Sequence, residues 1–331
     1  MDRGAIGAMF AVPADFRTRP FARAEALQAG VPARVLEGAQ FRRLYEAVYC
    51  HRDHELTLAD RVTAARLALP GSARTTGITR IQELGLVTGP TDVLHFVVVG
   101  DLHLAMPGVF LHRTVSMPRA DEDGVSGAAA FVAYCAEART LDAITVGSLL
   151  LHLELMDLHE LETMLVEQPW RRGCREAAWV VEHLEPRCRS LPEAELLTLV
   201  RFSGLPEPEV NVAMRDPDGM TIIPDLWFGC WRQAVEYEGA HHQEDRGQYV
   251  ADIDRYLAFR RMGIAYVQVT KERMRHPRLV VQQVHRALTE AGYDGPEPEL
   301  GELWAALFRS LHDVVRRGAR VSAVRQPPSA A

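Results

Sequence analysis

The strongest constraint on this fold is a pair of short apolar segments that each carry acidic side chains, within the sequence PDLWFGCWRQAVEYEGAHH. Asp225 lies in the first segment, and Glu236 and Glu238 lie in the second. Successive side chains of a strand point to opposite faces of its sheet, so Glu236 and Glu238 share one face while Val235 and Tyr237 pack on the other. The spacing therefore predicts two strands that bring carboxylates together.

Carboxylates gathered in an apolar setting repel each other and lose hydration. Such a group is costly unless the acids take up protons or a cation neutralises them, and oxygen ligands suit Mg²⁺, Mn²⁺ or Ca²⁺. The alternative is an edge hairpin whose acids are solvated. Apolar neighbours on both sides of the turn favour burial; they are Ile222, Ile223, Leu226, Ala234 and Val235. We therefore expect a divalent metal site.

Several further motifs accompany this one. In chain order they are SLPEAEL from Ser190, GLPEPEVNV from Gly204, RDPDG from Arg215, PDLWF, AVEYEGAHH, DRGQYVADIDR from Asp245 and GIAYVQVT from Gly263. Together, from about residue 190 to 288, they resemble the domain of unknown function 559, a branch of the PD-(D/E)XK nuclease superfamily related to the very-short-patch mismatch-repair endonuclease. The resemblance implies a restriction-endonuclease-like core, with a mixed central sheet flanked by helices, that cleaves DNA with Mg²⁺ or Mn²⁺.

The resemblance assigns roles residue by residue. Glu193 matches the family's helix glutamate, Asp225 its strand aspartate and Glu236 the glutamate of its second active strand, and these three are the expected metal ligands. Glu238 stands where the family usually has aspartate. The superfamily's usual lysine would fall at this position and is absent. His242 follows the turn and, with a reference pKa of about 6.5, is a candidate general base or acid.

Two residues of the helix predicted over 245–262 are secondary candidates. Asp252 and Arg255 match an acid and an arginine of the family, and Arg255 is a candidate phosphate clamp. Three residues apart on a helix, they also fit a surface ion pair. Glu193 has an alternative too, because it stands three residues after Ser190 and fits a helix-capping box. The single lysine, Lys271, is not expected in the site.

The N-terminal region shows the order helix, turn, helix and wing. FARAEALQAG predicts a short helix ended by Gly30, VPARVLEGAQ a turn and second helix, and FRRLYEAVY a small strand or wing. This order resembles the N-terminal winged-helix domain of AbiEi-type antitoxins, which implies that Arg34, Arg42 and Arg43 contact DNA. The alternative is a helical hairpin whose arginines lie on a solvated face.

The patterns together predict an α/β (α+β) chain in four parts. These are a winged-helix-like region with a β-hairpin formed by VLHFVVVG and GVFLHRT (1–125), a helical connector (126–188), the nuclease-like domain (189–295), and an amphipathic helix over 302–317 with a disordered tail (296–331). Within the nuclease-like domain we expect helix 193–203, strands 209–215, 220–228 and 233–238, helix 245–262, strand 264–270 and helix 276–291.

The net charge, the hydropathy and the cysteine content limit the classes of function that we expect. The 331-residue chain has a net charge of −7, which argues against a protein that coats nucleic acid nonspecifically but not against a nuclease with a local basic stripe. Long apolar runs and a signal sequence are absent from the sequence, so we expect a cytoplasmic protein without a membrane partner. The five cysteines form no CxxC pair, which indicates reduced thiols.

Two functions remain open at this point. The first is a divalent-metal-dependent DNA endonuclease in DNA repair or phage defence. The second is a DNA-binding, antitoxin-type transcriptional regulator whose nuclease fold is catalytically inactive. The grouped acids favour the first, because keeping them together without a metal is costly. The C-terminal helix is expected to dock either on the nuclease core or on another protein, including a second copy of the chain.

Overall fold

The computed structural model describes residues 10–239 and 255–318. The chain divides into two compact units, Met1–Ala130 and Phe131–Ala331. Helices and mixed sheets occur in both, so the predicted α+β class is confirmed. Within the described ranges, no helix combines the length and the apolar character that a membrane span requires.

The first unit begins with a small three-stranded sheet and two short helices. Its strands pair antiparallel in the order β1-β3-β2. The elements are β1 (Phe21–Ala22), α1 (Arg23–Gln28), α2 (Ala33–Leu36), β2 (Phe41–Tyr45) and β3 (Val48–His51). Phe21 contacts the rings of Phe16 and Phe41 edge to face at 4.7 and 5.4 Å, which forms the centre of this core. The predicted second helix is thus a single turn.

A second sheet of the same unit has the order β4-β5-β6. Its elements are α3 (Leu58–Ala68), β4 (Arg74–Thr75), α4 (Gly77–Glu83), β5 (Leu94–Val99) and β6 (Val109–Thr114). The predicted hairpin of β5 with β6 is wrong in direction: Leu94 pairs with Val109 and Val99 with Thr114, so the strands are parallel. The intervening residues 100–108 can span about 30 Å when extended, which exceeds the roughly 20 Å length of β5. They return the chain to the start of the strand without a helix.

The second unit opens with a run of helices. They are α5 (Gly127–Cys135, which also contains the division between the units), α6 (Thr140–His152), α7 (Leu158–Glu167), α8 (Cys174–Val180) and α9 (Leu191–Phe202). α6 packs against α9, and both bury their apolar residues. The helices predicted as a connector therefore lie, from residue 131 onward, in the same compact unit as the acidic strands.

The sheet that carries the acids has the order β12-β11-β10-β7. β7 and β11 each pair antiparallel with β10, whereas β11 and β12 are parallel. Its strands and helices are β7 (Glu209–Val210), β10 (Leu226–Phe228), β11 (Gln233–Glu238), α10 (described over 255–261), β12 (Ala265–Thr270), α11 (Lys271–Met274) and α12 (Pro277–Glu290). The sheet is mixed, as predicted, and α9 precedes it in the chain.

Two of the predicted strands are interrupted. The strand predicted over 209–215 is split into β7 and β8 (Met214–Arg215), because Asn211 adopts φ 51°, a left-handed conformation that ends the extended chain. The strand predicted over 220–228 is split into β9 (Thr221–Ile222) and β10. Pro224, which has no N–H for a ladder, stands between them. β8 and β9 form their own antiparallel pair.

The C-terminal helix predicted over 302–317 is two helices, α13 (Glu302–Ala306) and α14 (Leu311–Arg316). The interruption has a tertiary cause. The backbone of Thr140 donates to the carbonyl of Arg309, and the N–H of Leu311 donates to the carbonyl of Ala138, each at 3.0 Å. These bonds take backbone groups that a continuous helix would use. Leu311 and Val314 are buried, and α14 packs on α6 and α8, which were predicted to belong to the connector, whereas α13 packs on α9 of the predicted nuclease-like domain.

Candidate active site

Asp225 and Glu236 come together where β10 and β11 pair. Asp225 directly precedes β10, and Glu236 follows the residue of β11 that pairs with Leu226. The Oδ2 atom of Asp225 accepts a hydrogen bond of 2.7 Å from the backbone N–H of Tyr237, which fixes the carboxylate toward β11. Glu236 is only 5% exposed although it is an acid. The structure thus brings together one buried acid, Glu236, and one half-buried acid, Asp225.

Arg255 is the direct counterion of Glu236. Its Nη2 atom donates to Oε2 of Glu236 and also, at 2.7 Å, to the carbonyl of Ile223. Arg255 therefore lies inside the site, on α10. The other oxygen of Glu236, Oε1, is buried without a hydrogen-bond partner among the described residues. A buried carboxylate oxygen in this state can accept a cation or an N–H donor.

The two carboxyl groups resist ionisation. Burial, and secondarily the charge of Glu193, raises the pKa of Asp225 to about 6. Burial, and secondarily the charge of Asp225, raises the pKa of Glu236 to about 8, even though Arg255 acts in the opposite direction. Folding therefore favours the protonated form of Glu236, whereas the contact with Arg255 favours the carboxylate. Strongly raised acid pKa values in a cluster are typical of functional sites as well as of buried networks.

Glu193 is held mainly by local contacts. Its backbone N–H donates to Oγ of Ser190 at 3.3 Å, and its carboxylate accepts from the Ser190 hydroxyl and from the backbone of Arg189, both at 2.9 Å. Ser190 thus caps α9 as the alternative predicts, but the carboxylate of Glu193 accepts from the N–H of Arg189 instead of that of Ser190, so the predicted capping box is only half formed. Nδ2 of Asn211 also donates to Oε2 of Glu193 at 3.0 Å. Glu193 is close enough to affect the pKa of Asp225, so it lies at the border of the site.

Asn211 was not among the sequence candidates. Its side chain donates both to Glu193 and to the carbonyl of Arg187, at 2.8 Å, and so ties the start of α9 to the end of β7. The sequence offers only a weak signal for this role of Asn211. Asparagine tolerates positive φ better than most residues, so an Asn between two short extended segments indicates a turn.

The remaining candidates are less constrained. Glu238 ends β11, pairs with Thr270 of β12 and is partly exposed, on the same strand face as Glu236. His242 and Asp252 lie outside the described residues, so their predicted roles stay predictions. Lys271, as expected, is not in contact with the carboxylate pair; it lines a separate cleft with Tyr237.

The arrangement of Asp225, Glu236 and Glu193 fits a cation held by one or two carboxylates better than one surrounded by protein ligands. Within residues 10–239 and 255–318, no group of three or more His, Cys, Asp or Glu side chains is close enough to hold a metal ion. Mg²⁺, however, is usually bound through one or two carboxylates, with water and substrate phosphates completing the shell. Asp225 and the unpartnered Oε1 of Glu236 would supply these two carboxylates, and Glu193 would need to leave its capping bonds to add a third.

The three N-terminal arginines are exposed in the first unit. Arg42 is bonded within its own hairpin, from Nε to Sγ of Cys50 at 3.1 Å and from Nη2 to the carbonyl of His54 at 2.7 Å. Arg43 donates to the carbonyl of Tyr45 at 3.2 Å. Arg34 lies on the one-turn helix α2. Arg42 and Arg43 are successive strand residues and so face opposite sides of the small sheet.

A scan of the sequence against protein-family models returns no match, and a search among curated proteins returns none either.

Proposed function

We propose that this protein is a divalent-metal-dependent DNA endonuclease that hydrolyses phosphodiester bonds, with Mg²⁺ or Mn²⁺ bound by Asp225 and Glu236. The observation that carries this proposal is the buried carboxylate pair, in which both pKa values are raised and one oxygen has no partner among the described residues. A protein that only needed a stable core would gain from an apolar pair here, because buried like charges oppose folding.

The order of elements supports the same proposal. A helix (α9) is followed by three strands paired in sequence (β7, β10, β11), by a helix (α10) and by a strand parallel to the last (β12). This is the order expected from the resemblance to the PD-(D/E)XK superfamily. Asp225 directly precedes the second of these strands, and Glu236 stands on the third. Fold alone does not establish an activity, so the carboxylate pair carries the greater weight.

Asp225, Glu236 and Arg255 would have different roles in the proposed hydrolysis. A bound divalent cation would supply charge neutralisation at the phosphate and activation of a water molecule. Asp225 is oriented by the N–H of Tyr237, which leaves its second oxygen for a ligand. Glu236 would hold the cation as a carboxylate, because ligation requires the deprotonated form. Arg255 stabilises that carboxylate and, through its remaining N–H groups, is positioned to contact a phosphate.

A DNA-binding regulator with a catalytically inactive nuclease fold is the second candidate. One observation favours it: Arg255 already neutralises Glu236, and Glu193 is engaged in capping α9, so the site is stable as a structural network. The absence of a lysine at position 238 points the same way. In that case the exposed arginines of the first unit would carry the function.

Cleavage of supercoiled plasmid tests the first proposal. The full chain is incubated with DNA in 5 to 10 mM Mg²⁺ or Mn²⁺ (about the usual assay range) and in EDTA, and nicked and linear products are quantified. We expect metal-dependent cleavage that Asp225→Asn and Glu236→Gln abolish and that Glu290→Gln, an exposed acid on α12, retains. Metal-independent products, or equal cleavage by all variants, would identify a contaminating nuclease and reject the proposal.

Binding separates the two candidates. Duplex DNA affinity is measured at increasing salt with the full chain, with Arg42→Glu and Arg43→Glu as single and combined variants, and with Arg113→Glu in the same unit as the control for each single reversal. If these arginines contact phosphates, reversing their charge removes those contacts, so both the affinity for DNA and its dependence on salt should decrease. Salt-dependent binding without any cleavage supports the regulator. Unchanged binding by the double variant rejects the winged-helix role for these arginines.

A further inference from the structure

A second candidate site lies in the Phe131–Ala331 unit, away from the carboxylate pair. It is a cleft of about 1150 Å³ at the carboxyl ends of β11 and β12, bordered by the first residues of α6, α9 and α12 and by the segment around α13. Tyr237 lines it from β11. Because Tyr237 and Glu236 are successive strand residues, the cleft and the carboxylate pair lie on opposite faces of the sheet.

The lining of this cleft is strongly basic. Among the described residues that line it, the cationic side chains are Arg139, Lys271, Arg275, Arg278 and Arg309, and Glu195 is the single acid. Such an excess of positive charge contrasts with the net charge of −7 of the whole chain. Burial raises the pKa of Glu195 above its ordinary value, and the charge of Arg139 acts in the opposite direction.

The cationic side chains fall into two groups. Arg139 forms an ion pair with Asp142, and Arg309 with Glu302. Lys271, Arg275 and Arg278 have no ion-pair partner within the described part of the chain, and all three are exposed. The lysine is the only one in the sequence. Glu272, which follows Lys271, has a lowered pKa, first because of hydrogen bonds and then because of the charges of Arg275 and Lys271, so it offsets part of their charge. The remaining excess of positive charge attracts anions.

Aromatic rings form part of the same cleft. Trp304 and Phe308 are in edge contact, with ring centroids 4.8 Å apart, and the guanidinium of Arg278 lies 5.7 Å from the Trp304 ring. Tyr237 and Phe308 are only partly buried, so they have accessible ring surface. The cleft therefore offers two kinds of contact at once: cationic groups for phosphate and ring faces for a planar base.

We propose that this cleft binds a nucleoside di- or triphosphate, with the phosphates at Lys271, Arg275 and Arg278 and the base against Tyr237 or Phe308. Three unpaired cations balance the charge of a phosphate chain. Inorganic phosphate would leave the aromatic surface unused, and duplex DNA presents its phosphates on a convex surface that does not enter a cavity of this size. The site stands independently of the endonuclease proposal, because it uses different residues on the other face of the sheet.

Calorimetric titration of the full chain with ATP, tripolyphosphate and adenosine tests the assignment. We expect ATP to bind at least about tenfold more tightly than either fragment, because only ATP uses both the cations and the rings. Arg275→Gln/Arg278→Gln should weaken ATP binding by about tenfold or more, since charge-assisted bonds are lost. Phe308→Leu or Tyr237→Leu should reduce the preference for ATP over tripolyphosphate.

The matched control is Arg286→Gln, an exposed arginine of the same helix α12 that does not line the cleft. It should bind ATP like the unchanged protein, and thermal melting establishes that all variants are folded. Equal affinities for ATP and tripolyphosphate would overturn the nucleoside assignment. ATP binding that is absent from the unchanged protein, or that survives in the Arg275/Arg278 variant, would overturn the site itself.

Discussion

Replacing Asp225 by asparagine is expected to stabilise the protein at alkaline pH and to leave its stability unchanged in acid. Burial and Glu193 raise the pKa of Asp225 from 3.8 to about 6 in the folded protein. The folded state therefore binds this proton more tightly than the unfolded state does. It follows that the free energy of unfolding decreases as the pH rises from about 4 to about 6 and stays low above that range.

The size of the effect follows from the pKa difference. A difference of about 2 corresponds to about 3 kcal/mol, which is an upper limit for the cost of ionising Asp225 in the folded protein. Asparagine keeps an oxygen that can accept the Tyr237 N–H bond but loses the attraction to Arg255 and Arg189. We therefore expect Asp225→Asn to raise the free energy of unfolding by about 1–2 kcal/mol at pH 8 and by about zero at pH 4.

Urea unfolding in EDTA, followed by tryptophan fluorescence at both pH values, measures this difference. The midpoint should rise at pH 8 without a change in the denaturant slope. Asp294→Asn, at an exposed position, serves as the control and should show no pH-dependent change. A variant that is less stable than the unchanged protein at pH 8, or whose effect is the same at both pH values, would show that Asp225 is chiefly a structural acceptor and would refute the argument.

Three further outcomes follow from the described contacts. Arg255→Met leaves Glu236 buried without its counterion, so unfolding in urea should show a loss of roughly 3–5 kcal/mol at pH 9 and a smaller loss at pH 6, where the raised pKa keeps the acid protonated. Millimolar Mn²⁺ should raise the melting temperature of the unchanged protein but not that of Glu236→Gln, by mass action, and the lack of any rise would count against metal binding. Gly173→Ala should lower the free energy of unfolding in urea by about 3 kcal/mol or more, because φ is 96° and the added Cβ would stand 1.9 Å from the Val132 carbonyl oxygen. Gly292→Ala is the control: φ is 98°, but no atom lies within 4 Å of the added Cβ, so the loss should be only about 1–2 kcal/mol. Equal losses in the two variants would contradict this steric reasoning.

The sequence was most informative where one local pattern decided the structure. β11 occupies Gln233–Glu238, the predicted range, because apolar residues surround its acids and no Pro or Gly interrupts it. The pairing with β10 brings Asp225 beside Glu236 as expected. The S-x-x-E pattern at Ser190 likewise forms the predicted cap. Each of these features depends on neighbours within a few residues or on a simple alternation.

Longer-range contacts were not predictable in this way. The contact of Arg255 with Glu236 joins residues 19 positions apart, and that of Asn211 with Glu193 joins residues 18 apart. The break between α13 and α14 depends on backbone bonds to residues near Ala138. Helical periodicity continues across that break in the sequence, because a tertiary hydrogen bond leaves no trace in the pattern of apolar residues. The parallel direction of β6 depends on the path of a loop, which its composition does not specify.

The ion pair between Arg255 and Glu236 has a consequence for how the protein would acquire the proposed metal. Many metal sites are assembled only when the ion arrives, and their proteins remain unfolded until then. Here an arginine of the chain occupies one side of the acidic group, so the sheet can form during synthesis whatever the concentration of metal in the cell. Metal availability would then determine when the protein is active rather than how much folded protein is present, and a cell with little metal would still contain the folded, metal-free protein.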